Sequence, residues 1–120
     1  MRILWVSRHY PTDEQRLSLE EIMQERIDFV VCSQSVPDAK VIIALMKQYE
    51  CDDVVVVLPL NILSDLCSLG VKPIRARMDR NVKPTGDTTY KHATYERILK
   101  ADVLFEQLEK GEVNGRNETR

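Results

Sequence analysis

Asp53-Val54-Val55-Val56-Val57-Leu58-Pro59 is the stretch that decides the fold of this 120-residue chain. Its unbroken apolar run predicts a strand buried on both faces, which is typical of a parallel sheet covered by helices. The run is far shorter than the roughly 20 apolar residues that a membrane-spanning helix needs. It therefore predicts the interior of an α/β domain.

Two strand and helix units precede this strand. Residues 3–7 are apolar and predict a first strand, and Thr12 with Gln15 forms a capping box that begins a helix. Asp28 to Cys32 predicts a second strand, and Ser35 to Asp38 reads as a second capping box. The apolar faces of the two helices are expected to hold Leu17, Leu19, Ile22 and Met23, then Val41, Ile42, Leu45, Met46 and Tyr49.

The second half of the chain is predicted to be richer in strands. A short helix runs from Asn61 to Leu69 and ends at Gly70, which adopts a left-handed conformation. A strand beginning at Ile74 has one polar face, residues 81–88 form a loop, and a further strand covers residues 90–99. Residues 99–108 fit a helix, while residues 102–108 also fit a continued or returning strand.

These units predict a compact, three-layer, Rossmann-like α/β domain with a mainly parallel sheet and a β-rich C-terminal segment. It covers residues 1–108, and the polar residues 109–120 are expected to form a disordered tail. The chain has no Gly-x-Gly-x-x-Gly and no Walker loop, which argues against a dinucleotide dehydrogenase or a P-loop ATPase.

Composition narrows the possible partners. A net charge of −2 argues against binding to long nucleic acid or acidic membranes, although it leaves room for a local basic stripe.

Cys32, Cys51 and Cys67 are odd in number and show no Cys-x-x-Cys spacing, so reduced thiols in the cytoplasm are expected. No signal sequence is recognised. His9 and His92 lie far apart, so neither a metal nor a cofactor is expected.

The carboxyl ends of parallel strands meet at one edge of a sheet, which is where such folds bind ligands. Arg8 can hold a phosphate with its fork of donors, and His9 can transfer a proton near neutral pH. Thr12 and Ser35 either cap their helices alone or also lie close to a bound anion. The polar residues expected at this edge are Ser7, Arg8, His9, Thr12, Ser33, Gln34, Ser35 and Asn61.

A basic concentration follows in Arg75, Arg77, Arg80 and Lys83. Arg75 and Arg77 alternate along a strand and so share a face. They are expected either to line a groove for a polyphosphate or oligonucleotide or to protect an edge strand with charge.

The first strand with the turn Ser7-Arg8-His9-Tyr10-Pro11-Thr12 and its helix resembles the start of small stand-alone CRISPR-associated ring nucleases, whose fold is akin to the CARF domain. The resemblance implies a homodimer that binds a cyclic oligoadenylate, without metal, and cleaves it by attack of a ribose 2′-hydroxyl on the adjacent phosphate. Ser7, Arg8, His9 and Thr12 would face the ligand. Physically, His9 would act as general acid or base and the arginines would stabilise the charged phosphate.

The same turn is also similar to that of the histidine phosphatases, whose first strand ends in Arg-His-Gly-x-Thr/Ser. Arg8, His9 and Thr12 fall at matching places, Tyr10 replaces the glycine, and His92 would be the second catalytic histidine. A third hypothesis keeps the fold without catalysis, as a nucleotide sensor or a protein-interaction module.

Overall fold

Residues 1–101 are the part of the chain that the computed structural model describes. They form β1 (Arg2–Val6), α1 (Asp13–Met23), β2 (Asp28–Cys32), α2 (Ala39–Gln48), β3 (Asp53–Val56), α3 (Leu60–Ser68), β4 (Ile74–Val82) and β5 (Thr88–Arg97). The sheet order is β2-β1-β3-β4-β5, with β5 antiparallel to β4 and the other pairs parallel. The predictions for residues 102–108 and 109–120 lie outside the described residues.

β1 is the centre of the molecule, because it pairs with β2 on one edge and β3 on the other. Its side chains alternate between two apolar clusters. Ile3 and Trp5 pack in a cluster with Leu19 of α1, whereas Leu4 and Val6 pack in a cluster with residues of α2 and α3. Helices therefore cover both faces of the sheet, and the predicted three-layer Rossmann-like α/β fold is confirmed.

Local signals set the helix ends where the sequence has strong capping residues. Thr12 forms the predicted capping box with Gln15. At the end of α3, the Gly70 N–H donates to the Cys67 carbonyl at 3.0 Å and the Val71 N–H donates to the Leu66 carbonyl at 3.1 Å. This pair of hydrogen bonds is a Schellman motif, and Gly70 provides its left-handed residue at φ 92°.

The predicted start of α2 is wrong. Asp38 caps this helix by accepting a hydrogen bond from the Val41 N–H at 3.2 Å, and Ser35 lies outside the helix. The physical reason is Pro37, which disfavours a helical conformation at the residue before it. The hydroxyl of Ser35 is therefore not used as a helix cap.

Parts of the predicted apolar faces are also wrong. Leu17 and Ile22 are 64% and 50% exposed, and Tyr49 is exposed beyond the last residue of α2. α1 faces the sheet through Leu19 and Met23, which are one turn apart, so Leu17 lies on the opposite side of the helix. α1 has more apolar residues than its sheet-facing side can hold, so some of them stay exposed to solvent.

β4 and β5 form a long two-stranded ribbon. β4 pairs with β3 at a single position, Val55 with Ile74, and then runs on beyond the end of β3. Arg97 fixes the base of the ribbon, since its guanidinium forms two 2.8 Å hydrogen bonds to the Asp53 carboxylate, which raise the pKa of Arg97. At 3.3 Å per residue, β4 extends up to about 25 Å past the carboxyl edge of the sheet.

A bulge in β5 turns two side chains toward α1. Arg77 pairs with Thr94 and Met78 pairs with His92, so Ala93 has no opposite residue. Strict alternation would put His92 and Tyr95 on opposite faces, but the extra residue puts both against α1. The Tyr95 hydroxyl donates to the Gln15 carbonyl at 3.0 Å, and His92 Nε2 lies 3.0 Å from the Ser18 hydroxyl.

We predict opposite effects on stability of two substitutions at helix ends, because glycine is favoured at both positions. Glu50 ends α2 at φ 53°, in the left-handed region where a side chain is strained. Glu50→Gly should raise the free energy of unfolding by about 1 kcal/mol. Gly70→Ala should lower it by about 1–2 kcal/mol, although the new methyl meets open space. Urea denaturation measures both, and a stability loss in Glu50→Gly would contradict the assignment.

We predict that Tyr95 makes stability sensitive to alkaline pH. Burial raises the pKa of the Tyr95 hydroxyl, so the folded state keeps the proton that the unfolded state releases above its ordinary pKa of about 10. Stability should therefore fall as pH rises through and beyond 10. Tyr95→Phe should cost about 1 kcal/mol at pH 7 and weaken this alkaline loss. Urea unfolding at several pH values tests it, with Tyr90→Phe, which changes an exposed tyrosine, as control.

Candidate functional site

The carboxyl edge of the sheet holds a cleft between the ends of β1 and β3. The chain leaves β1 toward β2 on one side and returns to β3 on the other, and open α/β sheets bind ligands at such a switch point. The cleft measures about 220 Å³. Its lining consists of Val6, Ser7, Arg8, Gln34, Ser35, Val36, Val57, Leu58 and Pro59.

Backbone hydrogen bonds hold the Ser7–His9 turn over the strand ends. The Ser7 N–H donates to the Cys32 carbonyl at 3.2 Å, which continues the pairing of β1 with β2. The Trp5 indole N–H donates to the His9 carbonyl at 2.7 Å, and the His9 N–H donates to the Ser7 hydroxyl at 3.3 Å. Because Trp5 is only 3% exposed, its indole N–H depends on this carbonyl, and the turn is anchored to the core.

The polar groups of the cleft suit an anion. Arg8 is exposed, and its guanidinium forms no hydrogen bond or ion pair with the described residues. The polar residues Ser7, Gln34 and Ser35 line the same cleft. α3 begins at its rim after Pro59, without a side-chain cap on its first N–H groups. A free guanidinium beside hydroxyls and helix N–H groups is a typical phosphate environment.

Four of the residues predicted for this edge are thus brought together: Ser7, Arg8, Gln34 and Ser35. Ser33 lines a neighbouring depression of about 220 Å³ beside β2, which shares only Gln34 with the cleft. Thr12 caps α1, and Asn61 is exposed on the first turn of α3.

His9 does not line the cleft. Its backbone carries the turn hydrogen bonds, while its imidazole is exposed and makes no hydrogen bond with the described residues. His92, the second histidine of the phosphatase hypothesis, contacts Ser18 and Tyr95 on the α1 side of the ribbon. The two histidines make no described contact with each other.

The two arginines predicted to bind ligand lie on the ribbon. Arg75 forms an ion pair with Glu96 at 2.9 Å and lines a groove of about 670 Å³ beside α3. Arg77 is exposed, and its side chain has no partner within residues 1–101. Neither lines the cleft between β1 and β3.

Sequence reasoning missed the apolar part of the cleft. The apolar run predicts that Val57 and Leu58 belong to the buried strand, yet β3 ends at Val56 and Val57 is 68% exposed. The Val57 N–H still donates to the Val6 carbonyl at 3.0 Å, so the chain follows β1 to the cleft before α3 begins. The available signal was Pro59, which ends a strand just before a helix.

Within residues 1–101, no group of three or more histidine, cysteine or acidic side chains is placed to hold a metal ion. No helix in that part of the chain is long and apolar enough to cross a membrane.

No family model matches this chain, and neither does any curated protein or solved structure. The similarities drawn from the turn after β1 therefore remain predictions that rest on those few residues.

We predict that Trp5→Phe loosens the turn that carries Arg8. The substitution removes the N–H that binds the His9 carbonyl, and it should lower the free energy of unfolding by about 1–3 kcal/mol. Amide hydrogen exchange in residues 7–9 should accelerate more than in β2. Phe29→Leu is the control, because it removes the edge-to-face contact with Trp5 at 5.2 Å and keeps the indole N–H. Equal exchange in both variants would contradict an anchoring role.

Proposed function

We propose that the cleft between β1 and β3 binds the phosphate of a nucleotide, with Arg8 as the principal anion contact. The observation that carries this proposal is that Arg8 lines the cleft at the switch point of the sheet and that its guanidinium has no partner within residues 1–101. Arg75 and Arg97 are instead paired with carboxylates, which offset their charge and occupy part of their donor fork.

The size of the cleft bears on the kind of nucleotide. About 220 Å³ is below the 300–1,000 Å³ of pockets that enclose a whole drug-sized ligand. A phosphate with part of its ribose fits this space, and a larger cyclic ligand would engage the same cleft of a second copy. The similarity of the turn after β1 to that of ring nucleases makes cyclic oligoadenylate, bound by a homodimer, the first ligand to test.

Cleavage of that ligand is the second part of the proposal. A ribose 2′-hydroxyl would attack the adjacent phosphorus, the bond from phosphorus to the 5′-oxygen would break, and a 2′,3′-cyclic phosphate would form. The proton of the 2′-hydroxyl leaves to a base, and the 5′-oxygen gains one. His9 is the candidate for this proton transfer, and Arg8 would stabilise the charge on the phosphate.

A non-catalytic nucleotide sensor is the alternative candidate. The exposed His9 imidazole favours it, since this ring lies outside the cleft lining and no described side chain orients it. Catalytic histidines are normally held by a partner that fixes the ring. A protein-interaction module and a histidine phosphatase are the remaining hypotheses. The described contacts do not bring His9 and His92 together for the latter.

Incubation with cyclic tetra-adenylate and cyclic hexa-adenylate, with EDTA present, tests the proposal. We expect binding by calorimetry, which Arg8→Ala should weaken about tenfold or more through loss of a charged hydrogen bond. Arg26→Ala is the matched control, because Arg26 is exposed between α1 and β2. Unchanged affinity in Arg8→Ala would remove Arg8 as the phosphate contact.

Liquid chromatography of the products in the same mixtures distinguishes the enzyme hypothesis from the sensor hypothesis. An enzyme should yield linear products with 2′,3′-cyclic phosphate ends, and His9→Ala should abolish turnover while retaining binding. A sensor should bind either ring without products. If neither ring binds, the cyclic oligoadenylate proposal is wrong.

A further inference from the structure

The ribbon of β4 and β5 has an exposed face whose residues do not line the cleft. Beyond the bulge, Met78 pairs with His92, Arg80 with Tyr90, and Val82 with Thr88. Side chains alternate along a strand, so these three pairs share one face of the ribbon. We call this set the ribbon face.

One end of the ribbon face is covered by α1, and the other end is exposed to solvent. His92 is half-buried against α1, whereas Tyr90, two residues away on the same face, is 65% exposed. Met78 and Val82 beside it are 42% and 53% exposed. One aromatic ring and two apolar side chains are exposed to water here, and this exposure does not stabilise a two-stranded ribbon.

The charge of the outer ribbon is opposite to that of the whole chain, with Arg80 on the ribbon face, Lys83 at the turn, and Arg77 and Lys91 on the face opposite to the ribbon face. Residues 77–91 contain four basic side chains (Arg77, Arg80, Lys83 and Lys91) and two acidic ones, while the chain has a net charge of −2. None of the four basic side chains forms a hydrogen bond or ion pair with the described residues. Arg80 lies directly opposite Tyr90, which places their Cβ atoms about 5 Å apart.

We propose that the ribbon face binds single-stranded nucleic acid. Tyr90 offers a ring on which an unpaired base can stack, and Arg80 beside it, with Lys83 at the turn, offers donors to the phosphates on either side. An exposed aromatic ring beside basic side chains is the typical arrangement for binding single strands, whose bases present their faces. A duplex hides those faces, so charge alone would have to bind it.

The proposal does not depend on the ligand of the cleft. It departs from the expectation drawn from the net charge by taking up the local basic stripe for which that expectation left room.

Fluorescence anisotropy of the full chain with a labelled, mixed-sequence 15-nucleotide DNA single strand tests the proposal. We expect tighter binding of this strand than of the duplex of the same sequence. Tyr90→Leu should weaken binding about tenfold, and Tyr90→Phe should stay within about twofold, because stacking needs the ring and not the hydroxyl. Arg80→Gln should reduce the slope of log affinity against log salt by about 0.7.

The double variant Lys40→Gln/Lys47→Gln is the matched control, since both lysines are exposed on α2. It should bind the single strand like the unmodified chain. Circular dichroism verifies that each variant is folded.

Three outcomes would overturn the proposal. The first is no binding of the single strand at 50 mM salt, a low ionic strength that favours phosphate contacts. The second is unchanged affinity in a folded Tyr90→Leu variant. The third is self-association in light scattering that Tyr90→Leu abolishes, which would assign the ribbon face to a second copy of the chain.

Discussion

The burial of β1 on both faces and its pairing on both edges is the constraint on which the structure depends. Ile3, Leu4, Trp5 and Val6 are each at most 3% exposed, and each large apolar side chain buried in this way contributes roughly 1.5–3 kcal/mol. Because neighbouring residues of a strand point to opposite faces, this short segment needs a helix on each side. β2 and β3 then take its two edges, which places the turn after β1 at the switch point of the sheet.

The cleft follows from this arrangement rather than from any single motif. The strand ends bring four residues to the cleft: Ser7, Arg8, Gln34 and Ser35. The indole of Trp5, which is part of the core, anchors the turn by its hydrogen bond to the His9 carbonyl. The same geometry leaves the His9 imidazole exposed. This geometry favours the anion-binding part of the proposed function over proton transfer by His9.

The ribbon shows how one extra residue changes the use of a strand. Without the bulge at Ala93, His92 and Tyr95 could not both contact α1, and the ribbon would have one anchor fewer on that helix. With it, the base of the ribbon is tied to α1 and, through Arg97, to β3. The outer part, including Tyr90 and Arg80, extends beyond both anchors, and both of these side chains are exposed.

The sequence by itself determined the α/β class, the order of the elements, the Thr12 capping box and the left-handed Gly70, because periodicity and capping act over a few residues. It also located four residues of the cleft, since strand ends meet at one edge in any parallel sheet. Only the tertiary structure decided that Leu17 and Ile22 face solvent, that Arg75 pairs with Glu96 away from the cleft, and that His92 and Tyr95 both contact α1. These outcomes depend on which surfaces pack together and on a bulge that shifts the register, and neither is encoded within a short stretch of sequence.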